Sequence, residues 1–454
     1  MRVAFYTLGC KLNQAETESL ASQLRQAGHE IVAPNDAADI YIANTCTVTH
    51  IADRKSRHWL RLVRRRNPHA FIIATGCYAQ RALQELASLA DLVLGNEEKE
   101  RLPQIIEALP RQARSFPMLP RHSSAPRNGV TRVRSLVKIQ DGCHTPCGYC
   151  VVPRVRPHEH SLPAPQIMEE IKRKVALGYK EVILTGTKVG CYNDNGMTLP
   201  NLVRHILTEI DINRLRLSSL QPQEISPELL ALWQDAVVSA SGETRLCRHF
   251  HLALQSGSDS VLQRMDRRYS LNDYVRSISS VRRGVPGVAI TTDVMVGFPG
   301  ESDEEFKQSY RFCREAGFAN IHVFPFSPRP GTMAAKMPGQ VRDEVKRERT
   351  QRMLELAERN RHSFYQQFLS QTMWVLWEKE TSPESGIYSG LTDNYIRVFT
   401  RSQKPLSNIT TPVKLVDFHK QGMWGELDPK RLQEEESKLL RLWEAEHTGC
   451  RLAK

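Results

Sequence analysis

Short apolar runs alternate with stretches of helical periodicity along the opening part of the chain, the rhythm of a parallel α/β sheet. This pattern predicts strands at Val3–Leu8, Asp39–Asn44, Ala70–Thr75 and Leu92–Leu94, and helices at Ala15–Ala27, Ile51–Arg66 and Glu97–Leu109. A stretch rich in Pro, Ser and Arg follows, Arg111 to Gly129, in which Pro117, Pro120 and Pro126 argue against regular structure. From Thr131 to about Gly331 the βα rhythm returns. Strands are expected there at Ser135–Gln140, Glu181–Thr185, Arg214–Ser218, His249–Leu254, Ala289–Val296 and Ile321–Phe326. A charged amphipathic helix is expected from Arg342 to Phe368. Beyond it, Thr372–Glu378, Gly386–Ser389, Tyr395–Thr400 and Thr411–Phe418 alternate β-branched or aromatic residues with polar ones, which predicts a small β-barrel. The chain thus divides into an open parallel α/β sheet domain (1–112), a second α/β unit (129–340), a linking helix (341–368), a small barrel (369–428) and a charged tail (429–454).

At 454 residues and 51.7 kDa the chain has room for several domains, each with its own core. The longest apolar runs, such as Val182–Leu184 and Phe71–Ala74, fall far short of the roughly 20 residues that span a bilayer. The amino terminus runs straight into a strand pattern, without the apolar core and small-residue cleavage site of a secretory signal. No membrane partner and a cytoplasmic location are therefore expected. In a reducing compartment, ten cysteines read as metal ligands more readily than as disulfides. The formal net charge of +12 and the pI of 9.3 point to a polyanionic partner. Arg54, Arg57, Arg61 and Arg64 recur at helical spacing, with Arg65 and Arg66 beside them. Arg111, Arg114, Arg121, Arg127, Arg132 and Arg134 fall in a stretch without an acidic residue. One such run could be a solvated helix face, but two together favour phosphate binding.

The sharpest chemical signal is the string Asp141-Gly-Cys-His-Thr-Pro-Cys-Gly-Tyr-Cys150, which places Cys143, Cys147 and Cys150 in C-x3-C-x2-C spacing. Such a loop gathers three thiolates around one centre. An iron–sulfur cube held by only three cysteines keeps its fourth iron open to another ligand. A structural zinc site is the plainer alternative, but it needs four ligands and only His144 is available nearby. Cys10, Cys46 and Cys77 each follow a predicted strand. The carboxyl ends of strands in an open parallel sheet line its ligand crevice, so these cysteines would converge there. The competing reading is three small residues packed at strand ends. Cys191, Cys247, Cys313 and Cys450 are read as structural, and His249 and His251 as satisfied histidines rather than ligands.

With Tyr149 before its third cysteine, the loop resembles the signature of the radical S-adenosylmethionine (SAM) enzymes. Gly9-Cys-Lys-Leu-Asn-Gln14, Asn44-Thr-Cys-Thr-Val-Thr49 followed by Ala52-Asp-Arg-Lys-Ser-Arg57, and Thr75-Gly-Cys-Tyr-Ala-Gln80 resemble the amino-terminal domain of the methylthiotransferases. Leu252–Asp259, Thr292–Glu301 and Phe324–Thr332 resemble the barrel of that family. Leu391–Val398 is nearest to its TRAM domain, a small RNA-binding barrel whose basic and aromatic side chains suit phosphates and exposed bases. The central unit implied is a partial (β/α)6 barrel, with chemistry at the carboxyl ends of its strands. The resemblance implies two [4Fe-4S] clusters, one on Cys143, Cys147 and Cys150 that is chelated by SAM, and an auxiliary one on Cys10, Cys46 and Cys77. Gly186, Gln255, Asp293, Gly297 and Glu301 are the expected contacts to SAM, with Gly297 and Gly300 admitting close backbone approach. Glu301 fits equally well as the cap of a helix over Asp303–Cys313. Trp374 and Trp377 are expected in the core of the small barrel.

The residues around Cys10 and Cys46 look most like the branch acting on N6-threonylcarbamoyladenosine at position 37 of tRNA. The implied product is 2-methylthio-N6-threonylcarbamoyladenosine. One SAM would methylate sulfur on the auxiliary cluster, and a second would yield the 5′-deoxyadenosyl radical that takes hydrogen from C2 of the adenine. The implied partners are the tRNA anticodon loop, a reducing electron donor and a sulfur source, with the base splayed out between crevice and barrel mouth. The sequence departs from the family at Pro157, where glycine is common, at Leu162, where arginine is common, and over Arg401–Thr410. The alternatives are transfer to isopentenyladenosine or to a ribosomal protein and, from another class, an RNA-binding protein with structural metal.

Overall fold

The computed structural model describes residues 1–108, 133–234 and 243–427. The Pro-rich stretch, five of the six arginines between Arg111 and Arg134, Cys450 and the charged tail lie outside the described residues.

The amino-terminal sheet is parallel, in the order Glu30–Val32, Arg2–Thr7, Ile40–Thr45, Phe71–Gly76, Leu92–Val93. Its central strand Ile40–Thr45 is buried at every position, as befits a parallel strand covered on both faces. Alternation sorts the side chains. Val3, Ile40, Ile42 and Ile73 pack on Leu20 and Leu24 of the helix Lys11–Gln26. Ala4, Tyr41, Ala43 and Ile72 meet Trp59, Leu60 and Val63 of the helix His50–Arg66. The edge strand Glu30–Val32 escapes the sequence reading because it is only three residues long. The helix expected over Glu97–Leu109 is a 3-10 turn, Glu98–Arg101, followed by an α-helix, Leu102–Ala108. Pro103 explains the break: it lacks an N–H and is tolerated only in a helix's first turn.

In the second unit the parallel strands Arg134–Lys138, Glu181–Thr185, Arg214–Leu217 with its continuation Ser219–Leu220, His249–Leu252, Ala289–Val296 and Asn320–Pro325 form the wall of a partial barrel. Val137, Val182, Leu184, Leu215 and Phe250 face outward into the helix layer that includes Ala164–Ala176, Leu199–Glu209 and Leu271–Gly284. Alternate positions face inward, where Leu136 and Ile183 meet Ala15. The helix that starts just after Cys10 therefore runs along the inner face of the first barrel strand.

The helix Asp343–Gln366 packs Met353, Leu356 and Ala357 on the partial barrel, and Phe364 and Tyr365 on the last unit. That unit is a closed barrel in the order Thr372–Glu380, Ile387–Thr392, Arg397–Arg401, Gly422–Leu427, Thr410–His419. The strand Gly422–Leu427 is absent from the sequence reading because its glycines interrupt the alternation. A Cβ at Gly422 would come 2.4 Å from the Arg397 carbonyl oxygen, and one at Gly425 would come 2.2 Å from a Val413 methyl, so close packing requires both. Trp377 is fully buried and donates to Thr411 Oγ1 at 2.8 Å. Trp374 is only half-buried, contrary to expectation.

Candidate active site between the amino-terminal crevice and the barrel mouth

Strand order in the first sheet reverses between Arg2–Thr7 and Ile40–Thr45, and ligands of open α/β sheets bind at the strand carboxyl ends beside such a reversal. Cys10 and Cys46 follow these two strands, and Cys77 follows the next. Gly9 turns the chain with φ +104°, and a Cβ there would lie 2.8 Å from the Cys46 sulfur. Cys10 is exposed, whereas Cys46 and Cys77 are buried. Burial pushes the Cys46 thiol up to about 12, with Cys77 and Cys10 adding to the effect as neighbouring thiols. The three strand-end thiols thus face one crevice. A metal centre there would bind them as thiolates.

In the second set, the Cys143 sulfur accepts from the Thr145 N–H at 3.4 Å, and the Cys147 sulfur accepts from Arg267 at 3.2 Å. Burial pushes the Cys150 thiol up to about 12. Tyr149 packs beside Val261, Met265, Phe298 and Phe326, pinning the loop to the barrel. His144 is 69% exposed beside Glu159 and does not complete a tetrahedral set. Among the described residues, no three His, Cys, Asp or Glu side chains converge as ligands of a single ion.

The two cysteine sets are joined through a buried network that the sequence reading missed. Cys77 packs on Val151 and Val155, just past Cys150. Arg156, buried, reaches Glu16 at 2.8 Å, Asp141 at 2.7 Å and Asn13 at 3.1 Å, and donates to the Cys77 sulfur at 3.4 Å. Lys99 and Lys138 also pair with Glu16. Burial disfavours the Glu16 carboxylate, but Lys99 and Arg156 outweigh it and hold the group well below the usual range. A second tether joins Arg329, in the loop after the last barrel strand, to Asp53 and to Thr47 at 3.0 Å, fixing the segment after Cys46. Sequence offered no signal for these pairs, because partners such as Glu16 and Arg156 lie 140 positions apart.

The expected barrel-wall residues fall into two groups. Gln255 has φ +68° and exchanges backbone hydrogen bonds with Asp293 and Met295. Asp293, partly open, lies 3.3 Å from His251 Nε2, and Gly186 lies against Gln140. Next to Gly186, the buried Thr187 hydroxyl has no partner, a polar atom available to a ligand. Gly297 and Glu301, by contrast, meet the linking helix. A Cβ at Gly297 would fall 2.2 Å from Lys346 Cγ. Glu301 accepts from the Gly297 N–H and pairs with Arg349 at 2.9 Å, leaving one carboxylate oxygen unpartnered. Glu301 does not cap the following helix, Asp303–Ala316. Ser302 does, in a capping box with Glu305. His249 and His251 are buried and share the Thr291 hydroxyl at 3.0 and 2.9 Å, but the buried Nδ1 of His249 has no partner, so only part of the expectation of satisfied histidines is met.

Residues 2–95 match the uncharacterized protein family UPF0004, and residues 137–313 match the radical SAM superfamily. The threonylcarbamoyladenosine tRNA methylthiotransferase MtaB of Aquifex aeolicus is 37% identical over 420 residues, covering 90% of this chain and 99% of that protein. Its namesake from Bacillus subtilis is 33% identical over 442 residues, covering 91% and 93%. The chain belongs to the methylthiotransferase family of radical SAM enzymes. A relative from Syntrophus aciditrophicus, named tRNA-2-methylthio-N(6)-dimethylallyladenosine synthase, is 34% identical over 369 residues, covering 78% of each chain. Among solved structures, the radical SAM methyltransferase TsrM from Kitasatospora setae aligns with TM-score 0.52 at 14% identity, covering 74% of this chain and 77% of that one, a likeness of fold alone. As a radical SAM methylthiotransferase, the protein is an enzyme that works with SAM and a [4Fe-4S] cluster. Among its described residues no helix is long and apolar enough to cross a membrane.

Proposed function

We propose that this methylthiotransferase converts N6-threonylcarbamoyladenosine at position 37 of tRNA to its 2-methylthio derivative, in the cytoplasm. The observation that carries the reading is the packing of Cys77 on Val151 and Val155, just past Cys150, with Arg156 donating to the Cys77 sulfur. Cys143, Cys147 and Cys150 would hold the SAM-binding cluster, and Cys10, Cys46 and Cys77 an auxiliary one. When bound, these groups would supply a carbon radical strong enough to take hydrogen from C2 of the adenine, and a sulfur to be methylated and transferred.

The protein's own part is positioning. Gly186, Gln255 and Asp293 would contact SAM at the barrel mouth, while Gly297 and Glu301 shape the loop that packs on the linking helix. Arg156 and Arg329 hold the amino-terminal crevice against that mouth, which keeps reacting atoms in register and bulk water away. The target base would leave its stack to enter the gap. Exposed Arg54, Arg61, Arg65 and Arg66 on the helix His50–Arg66 would take tRNA phosphates. Arg57 and Arg64 are engaged internally with Tyr78 and Asp91. A reducing protein and a sulfur donor complete the cycle.

Reconstitution of the purified chain with iron and sulfide tests this reading. The expected outcome is two clusters per chain, release of 5′-deoxyadenosine from SAM, and the 2-methylthio nucleoside on tRNA carrying threonylcarbamoyladenosine. Methylthiolation of dimethylallyladenosine alone would overturn the substrate assignment.

A further inference from the structure

In the lower part of the partial barrel, on the side lined by Lys11, the residue after Cys10, lies a cavity of about 320 Å³. Its walls are the inner faces of His249–Leu252, Ala289–Val296 and Asn320–Pro325, and its floor is the Asn394–Arg397 turn of the small barrel. Lys11 forms part of the lining. The composition of that lining is unusual for so polar an interior: it includes Lys11, Arg361, Arg397 and three histidines, and no Asp or Glu.

The neighbouring cations are compensated. Arg216 pairs with Glu181 at 2.7 Å, Lys138 with Asp141 at 2.8 Å, and Arg397 with Glu378. Lys11 lines both this cavity and the neighbouring one that holds Glu18 and Glu378, and among the described residues its ammonium makes no salt bridge with either carboxylate. Its charge is felt by His249, His322 and Tyr395, which it disfavours as cations or favours as an anion. A half-buried ammonium facing a cavity without carboxylates calls for an anionic ligand. Because Lys11 follows Cys10 directly, that anion would sit beside the auxiliary thiols, within the barrel rather than on its outer surface. A backbone phosphate remains outside when a base is turned inward. A carboxylate borne by the base enters with it.

We propose that this cavity receives the amino-acid substituent on N6 of the target adenosine, and that Lys11 pairs with its carboxylate, with His322 and Asn320 as hydrogen-bonding neighbours. The proposal rests on the substrate reading above and adds the means by which a carboxylate-bearing adenosine is told from one with an apolar dimethylallyl group. Specificity of this kind comes from a buried polar group that the wrong substrate leaves unpaired.

The test uses the reconstituted full chain and two anticodon stem-loop RNAs, one bearing threonylcarbamoyladenosine and the other its primary amide. The enzyme is expected to favour the acid by roughly 10- to 100-fold in kcat/KM, the range of a charge-assisted hydrogen bond. Lys11→Met should erase that preference by slowing the acid only, with iron content and 5′-deoxyadenosine release retained, and Lys11→Arg should restore much of it. Equal use of acid and amide by the unaltered enzyme overturns the inference but leaves the activity standing, whereas turnover of neither RNA overturns both. A Lys11→Met variant that slows both RNAs alike marks a phosphate contact and also overturns it. Should Lys11→Met lose iron, His322→Leu decides: the preference should shrink, and a preference left at full size counts against the proposal.

Discussion

Arg156 is buried between the two cysteine sets, and Glu16, Asp141 and Asn13 satisfy its guanidinium. Removing one partner from such a network leaves uncompensated charge behind. Arg156→Met is therefore expected to cost roughly 3–5 kcal/mol, read from urea unfolding, and a loss below about 1 kcal/mol would show the network to be slack. His249 gives a pH-dependent counterpart. Burial first, and then the charges of Arg216 and Lys11, hold its pKa well below the ordinary value. The unfolded chain then binds the proton first, so this contribution to stability is complete above about pH 6.5 and is lost as pH falls below it. The urea midpoint should drop between pH 7 and pH 5.5, and His249→Phe should flatten that drop. An unchanged slope in the variant would assign the acid sensitivity elsewhere.

Among elements, helix ends and barrel cores carry clear expectations. Ser302 accepts from the Glu305 N–H while Glu305 reaches back to the Ser302 N–H. Ser302→Ala should therefore lower stability by about 1 kcal/mol, visible in thermal unfolding. Trp377, enclosed in the small barrel, should cost roughly 3–5 kcal/mol as Trp377→Ala, with the loss concentrated in that barrel's hydrogen-exchange protection. The long parallel strands were legible because their apolar runs are bounded by turns, and Glu181–Thr185 and Ala289–Val296 appear as expected. The strands Glu30–Val32 and Gly422–Leu427 were not. One is too short to show a period, and the glycines of the other are set by packing against Arg397 and Val413. The cysteine positions were legible because strand ends and local spacing are sequence properties. Arg156, Arg329 and Lys11 were not, since their roles depend on which distant segments fold against them.

At the scale of the whole molecule, the proposed function requires the crevice and the barrel mouth to act on one tRNA. Arg54 and Arg61 are exposed on the crevice domain, so Arg54→Glu with Arg61→Glu should weaken tRNA binding at every sequence. It should also reduce the slope of log affinity against log salt by roughly 1–2 units. A variant with unaltered salt dependence would place the RNA on another face. In the proposed function both cysteine triads serve methylthiolation of threonylcarbamoyladenosine. Mass spectrometry of tRNA nucleosides from cells lacking the gene, complemented with the intact copy or with Cys10→Ala or Cys143→Ala, tests it most directly. The nucleoside 2-methylthio-N6-threonylcarbamoyladenosine should return with the intact copy and with neither variant. Its full return with either variant, or no change in that nucleoside at all, would contradict the account.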